Sequence, residues 1–564
     1  MTHVSDRRAT TRSAVLSKTS LYSVVIAVAF LVIGTVLVFH VQLFSGLRFM
    51  QPDDTDPRLV NYILERNHQW FLGQRPDEDF WSPPFCYPWQ DLGTHTESML
   101  GLQPFFSPWR VAGLTTETAY QLCSMGLLMA CFLSAFLLFS RGCRFGALPA
   151  AAGAFIFAFA GPRAAQIGHI QLFAHYATPL AVLGLVQEYR LGRFDSRRWQ
   201  WIFLFCASTV IQFYGSIYLT WFFVVFLGFA LIVALLWNET RSVLSHSLRT
   251  KGQIWIGGIV LSVLASLPLL IPYLAASKRL PGSTFADVFP LLPQPESFLY
   301  QGYGSWVGRF LGVHSWPPIA TLQYMWEHAM SPGYVTTLMA IIGLWVRRRE
   351  PLARICLCVA SVVLLLVMRW PGGFTLWRWV FEVLPGANAI RAMTRISVPI
   401  LLIVGYGVAA SLSLITRKWG TLPAALLAGL MAFEQGQTQL KFDRLVPAAR
   451  SQAIAGIIPD GCQTFFYTGT IDGDQSIMRN QIDAMWAGLY TSVPTVNGYT
   501  GYLPPGWWET VAGAMGESPS TDALAILTQG VADRGGAASS LSWVRVSFQG
   551  TTVADSEVRT IPVP

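Results

Sequence analysis

Residues 46–70 read GLRFMQPDDTDPRLVNYILERNHQW, and they follow directly on the apolar run Tyr22–Leu43. That run decides the fold class. At about 1.5 Å per helical residue it is long enough to cross a hydrocarbon core of roughly 30 Å. Arg7, Arg8, Arg12 and Lys18 precede it. It is too long for the apolar part of a signal peptide and lacks a small-x-small cleavage site. It is therefore expected to stay as a first span, with residues 1–21 as a basic cytoplasmic N-terminus. The stretch that follows sets Asp53, Asp54 and Asp56 at the water–bilayer boundary. Carboxylates there suit a proton acceptor, or a cation ligand, that serves a lipid-borne substrate.

Outward from this point the chain stays apolar. Only 12% of its 564 residues are charged, against roughly 25% in a soluble domain, and the mean hydropathy is +0.43. Apolar runs fall at 22–44, 119–140, 146–161, 173–188, 200–214, 217–237, 254–275, 334–346, 355–368, 396–415 and 421–436. The expectation is an all-α polytopic membrane protein of about eleven spans. Its 21 Trp fit a protein with two wide membrane interfaces.

With the N-terminus inside, the short inner segments hold 19 Lys and Arg against 5 Asp and Glu. The outer segments hold 20 against 26 over a far greater length. This is the positive-inside pattern, and inverting the topology breaks it at nearly every loop. Because the charges are sorted by side, the net charge of +8 does not imply nucleic acid as a partner. Three large outer elements result: loop one, 45–118; a middle loop, 276–333; and a tail, 437–564. The tail has short apolar stretches at Thr464–Phe466 and Leu541–Val546, which predict a small extracytoplasmic α/β domain. Cys86 and Cys462 are the cysteines of the outer elements, and whether they pair is open.

In loop one, Leu59, Val60, Ile63, Leu64 and Phe71 are spaced for an amphipathic helix over 58–70, lying on the membrane surface. Asp56 alone would suffice to cap it, yet three aspartates lie together. Between the third and fourth spans, GPRAAQIGHIQLFAHYATPL offers Arg163 and His169 to an anionic head group, or simply to the interface by snorkelling. Glu327 and His328 close the middle loop. Arg391 and Arg395 stand against the charge trend on the outer side, where guanidinium suits phosphate, with interfacial anchoring as the alternative. Trp486, Tyr499, Tyr502, Trp507 and Trp508 of the tail read as core and membrane contact ahead of glycan binding. There is no Walker loop, dinucleotide fingerprint, serine nucleophile elbow or CxxC pair in the sequence.

The order of several strings resembles the GT-C superfamily of integral membrane glycosyltransferases, within a large, mostly uncharacterised bacterial branch. They are Asp53–Asp56, then DPRL (56–59) with Ile63-Leu64-Glu65, ESMLG (97–101) and PFFSPWR (104–110). GPRAAQIGHIQ (161–171), SPGY (331–334), PGANAIRAMTR (385–395) and NGYTGYLPPGW (497–507) follow. The resemblance implies a GT-C-like transmembrane domain over 22–436 in a bacterial cytoplasmic membrane, with 437–564 extracytoplasmic. It implies transfer of a sugar from a polyprenyl-phosphate-linked donor to a glycan, glycolipid or protein acceptor on the outer face. A loop-one aspartate, Asp54 or Asp56 and then Asp53, would be the general base or a ligand to a divalent cation such as Mg or Mn. Arg58, Glu97, Arg163, His169, Glu327, His328, Arg391 and Arg395 are the candidates for binding the lipid phosphate and sugar. Gln51-Pro52 precedes the acids where a glycine often stands, which leaves open which aspartate aligns with the catalytic one.

Two other functions compete. A transporter or flippase of lipid-linked saccharides needs ionisable groups deep within spans, and Glu434, near one span end, is nearly alone there. A non-catalytic envelope-assembly partner would tolerate alanine at Asp54 and Asp56 but not the loss of 437–564.

Overall fold

The computed structural model describes residues 3–191, 199–473 and 476–564, with residues 3–20 described by their backbone alone. Most of the basic segment expected at 188–199 lies outside the described residues. All eleven apolar runs fall on helices. Among the described residues seven helices are long and apolar enough to cross a membrane, and Tyr334–Val346, Pro351–Val367 and Thr421–Phe433 are shorter apolar helices. The run at 200–214 forms the 16-residue helix Gln200–Gly215. The protein is a multi-pass membrane protein; helix length alone does not fix the expected count of eleven.

The first helices are α1 (His3–Phe44), α2 (Asp56–Phe71) and α3 (Gln103–Val111) in loop one, α4 (Thr116–Leu137) and α5 (Ala147–Phe159). The sequence of α5, ALPAAAGAFIFAF, is rich in alanine, and every residue from Leu148 to Phe159 is buried. Small side chains let α1, α4 and the helix Ser397–Trp419 close around it. A methyl group on Gly153 would strike the carbonyl oxygen of Gly405, and one on Gly405 that of Gly153. Gly407 faces the carbonyl of Ala340 in the same way, on Tyr334–Val346. By contrast, the apolar part of Asn238–Ser277 is hardly buried, as suits a helix with lipid around it. That helix kinks at Lys251, whose buried ammonium pairs with Glu188 at 3.0 Å. Glu434 accepts the N–H groups of Val335 and Thr336 at the start of Tyr334–Val346, so its charge serves a helix end.

Loop one and the tail fold together. Strand β1 (Phe49–Met50) pairs antiparallel with β2 (Phe442–Asp443). Strand β3 (Phe465–Ile471) runs parallel to β4 (Ser540–Gln549), which pairs antiparallel with β5 (Thr552–Pro562). The helices Ile477–Thr491 and Thr521–Asp533 lie in the crossover from β3 to β4, as a parallel pair requires. Leu59, Tyr62 and Phe85 of loop one share one hydrophobic core with Phe466, Trp507 and Trp543 of the tail.

The helix expected on the membrane surface is instead enclosed by protein. In α2 even Arg58, Asn61, Glu65, Arg66, Asn67 and His68 are buried. The cause is pairing: Arg58 meets Asp483, Glu65 meets Arg110, and Arg66 meets Glu78. A polar face so satisfied no longer needs water. Cys86 and Cys462 are both free thiols. Trp486 and Trp507 belong to the shared core, while Trp508 is exposed.

Candidate functional site

The three aspartates have three different surroundings. Asp53 is exposed and turns back on Thr55, accepting its N–H at 3.0 Å and its hydroxyl. Asp54 is buried, with one carboxylate oxygen 2.9 Å from Arg479 Nε and the other 3.3 Å from Arg450 Nη2. Asp56 opens α2, and no side chain caps that helix. Its Oδ1 accepts the Tyr499 hydroxyl at 2.7 Å, and its Oδ2 lies 3.5 Å from His169 Nε2.

Around Asp56 the chain gathers polar and charged side chains from four other segments. Arg395 holds Glu327 through two bonds, Nη2–Oε1 at 2.7 Å and Nε–Oε2 at 3.2 Å. Burial pushes the Glu327 carboxyl up, but the charge and hydrogen bonds of Arg395, with His169 and Arg391 behind them, bring its pKa to about 2. His169 is lowered, first by burial and then by Arg395, against the opposing pull of Asp56 and Glu327. The imidazole is therefore neutral near pH 7 and can donate or accept one hydrogen bond. Burial and the negative charges of Asp56 and Asp53 raise the Tyr499 phenol, which stays a donor. Arg391 is exposed, within electrostatic reach of Glu327 and Tyr499, and has no hydrogen-bond or ion-pair partner among the described residues. Asp53, Asp56, His169, Glu327, Arg391 and Arg395 thus converge on one end of the bundle, with Tyr499 above Asp56.

The remaining candidates lie elsewhere. Arg163 is fully buried, donates to the carbonyls of Phe157 and Leu172 and to His175 Nδ1, and faces no cleft. His328 sits between Ser297 Oγ at 2.7 Å and the carbonyl of Pro290 at 3.1 Å, a structural position. Arg58 donates to Asp483 and Ser451 in the junction with the tail. Glu97 lies closer to the group: it accepts Ser216 Oγ and the Tyr218 N–H, and Arg395 lies within electrostatic reach.

Solved structures place this architecture. The oligosaccharyltransferase of Archaeoglobus fulgidus, in complex with Zn and sulfate, is similar with a TM-score of 0.51 at 12% identity, over 91% of this chain and 67% of its own. The archaeal oligosaccharyltransferase AglB of the same organism, with an inhibitory peptide and a dolichol-phosphate, gives 0.50 at 11% identity, over 93% and 69%. The mycobacterial arabinofuranosyltransferase AftD gives 0.54 at 14% identity, over 93% of this chain and 36% of that enzyme, so this chain spans about a third of it. This chain has the GT-C fold. No protein-family model matches it, and no curated protein does.

On this GT-C fold Asp54 is a poor ligand for a divalent cation. Both oxygens of Asp54 face guanidinium groups, which repel a metal ion. No three His, Cys, Asp or Glu among the described residues converge as metal ligands. Sequence reasoning missed Arg450, Arg479 and Asp483. Asp483 is fully buried, accepts both Arg58 and Arg450, and ties the tail to loop one. Its only sequence signal is an acid in the otherwise largely apolar helix Ile477–Thr491, and nothing in that spacing names a partner more than 400 positions away.

Proposed function

We propose that the protein is a membrane glycosyltransferase that moves a sugar from a polyprenyl-phosphate-linked donor to an acceptor hydroxyl at the outer face of a bacterial cytoplasmic membrane. The N-terminus is cytoplasmic, and 437–564 is extracytoplasmic. The observation that carries this reading is Asp56: a partly exposed carboxylate, free of capping duty, within electrostatic reach of Arg395 and beside His169 and Tyr499. The GT-C fold, shared with enzymes of oligosaccharyl and arabinofuranosyl transfer, supports it at the level of architecture.

In this mechanism Asp56 takes the proton of the acceptor hydroxyl. The oxygen so freed bonds to the anomeric carbon as the bond to phosphate breaks, and the electron pair leaves with the phosphate. Positive charge grows on the sugar ring in between. Arg391, without a hydrogen-bond or ion-pair partner among the described residues, binds the departing phosphate, and Arg395 adds its field from the Glu327 pair. Neutral His169 donates a hydrogen bond from the same side. Asp54, held by two arginines, secures the tail and does no chemistry.

Complementation of a deletion strain by Asp56→Asn and Asp54→Asn, at matched membrane levels, tests this. The envelope glycan or glycolipid profile is the readout. Asp56→Asn should lose the product while the protein accumulates. Asp54→Asn should keep turnover per folded molecule and lower the melting temperature. A full profile from Asp56→Asn would sink the assignment.

A further inference from the structure

The middle loop holds a surface that the Asp56 site does not use. Residues 297–326, SFLYQGYGSWVGRFLGVHSWPPIATLQYMW, include one Lys, Arg, Asp or Glu, namely Arg309. The segment folds on a small core of its own, with Tyr300, Val313, Ile319 and Leu322 buried. Left outside are Tyr303, Trp306, Phe310, Trp316, Tyr324 and Trp326, with Phe310 89% and Trp326 70% exposed. So many exposed aromatic side chains on an otherwise folded loop mark an interaction site.

What covers it is indicated by its neighbour. On Thr421–Phe433 the exposed residues Leu422, Leu426, Leu430 and Phe433 fall at helical spacing, as a lipid-facing stripe does. The stripe ends against Trp306, whose ring lies 5.9 Å from that of Phe433. Trp306 is fixed there by its N–H on the carbonyl of Gly436 at 3.0 Å and its indole N–H on Thr438 Oγ1 at 3.1 Å. Trp306 therefore continues the exposed apolar side of that helix at its end. Trp, Tyr and Phe beside one arginine are the composition of the headgroup boundary. Arg309 lies 5.4 Å from the centre of the Tyr303 ring, its stem along the apolar surface.

We propose that residues 297–326 form an interfacial element that inserts Phe310 and Trp326 into the lipid leaflet beside the Asp56 site. The next residue is Glu327, so insertion holds the Glu327–Arg395 pair at headgroup depth. The inference is independent of which reaction that site performs.

The full-length protein in phosphatidylcholine nanodiscs provides the test. Phe310→Cys and Trp326→Cys are labelled with bimane, with Thr551→Cys, on the turn between β4 and β5, as the aqueous control. Wild type labelled in parallel gives the background of the eight native cysteines. Lipid brominated high on the acyl chains should quench the labels at 310 and 326 and spare that at 551, while iodide in the buffer does the reverse. Quenching of 310 and 326 by iodide alone would overturn the proposal in favour of a water-facing surface. Shielding from both quenchers, with two chains per disc, would overturn it in favour of a second copy. Trp316→Cys substitutes for either variant that does not accumulate.

Discussion

Asp54 and Asp56 stand two residues apart and differ in what touches them. Two guanidiniums hold Asp54, whereas a phenol and an imidazole attend Asp56. The phenol comes from the tail, so the tail reaches into the site. Tyr499→Phe keeps the ring and removes one hydrogen bond to a carboxylate, worth about 1.5–3 kcal/mol. Turnover should fall by roughly tenfold or more, the equivalent of about 1.4 kcal/mol per decade, with the melting temperature nearly unchanged. Steady-state kinetics on the purified protein decides it, and unchanged kinetics would free Tyr499 of any positioning role. Glu97 carries a pH dependence. Burial raises its pKa from the ordinary 4.5 to about 7, despite the bonds from Tyr218 and Ser216 and the charge of Arg395. The folded state thus binds the proton more tightly than the unfolded chain. Its stabilising contribution is complete below the unfolded pKa and is lost as pH rises through about 7. Melting curves between about pH 5 and pH 8 should therefore decline in wild type relative to Glu97→Gln, which cannot ionise. Parallel curves would show that Glu97 does not titrate in this window.

At the scale of elements, helix contacts decide what a substitution does. Gly407 lies against the backbone of Ala340, while a Cβ at Gly429 meets nothing within 4 Å. Gly407→Val should cost about 1–3 kcal/mol or more by overpacking and lower both accumulation and melting temperature. Gly429→Val should leave both near wild type. Fluorescence-detected gel filtration of the two variants separates the cases, and equal behaviour would mean that the close approach at Gly407 relaxes freely. The same elements show what the sequence could and could not reveal. The apolar runs were legible as helices because an unbroken apolar stretch of that length is stable only within lipid or a protein interior. The strands at Phe465–Ile471 and Ser540–Gln549 were announced by their short apolar stretches. The position of α2 was not, because an amphipathic pattern looks alike whether its polar face meets water or arginines and carboxylates from distant segments. Asp53, Asp56, His169, Glu327, Arg391 and Arg395 were each visible as polar residues at a boundary. That they share one end of the bundle, and that Arg163 and His328 do not join them, depends on contacts no local spacing encodes.

For the whole molecule, the decisive feature is that loop one and the tail share a core. The buried network of Asp54, Arg58, Arg450 and Asp483 lies in their junction, with the Tyr62–Trp486 ring contact beside it. A buried charge stripped of its partner costs about 3–5 kcal/mol, so neither half keeps this arrangement alone. Deleting 437–564 would thus abolish function whether the tail binds an acceptor or merely completes the fold, and such a deletion cannot separate an enzyme from an assembly partner. Proteolysis can report the fold directly. In the intact protein Arg58 is buried against Asp483. Limited trypsin digestion in detergent should spare it. A chain ending at Gly436 loses that partner, and mass spectrometry should then find cleavage between Arg58 and Leu59. Protection of Arg58 in the truncated chain would mean that loop one folds without the tail.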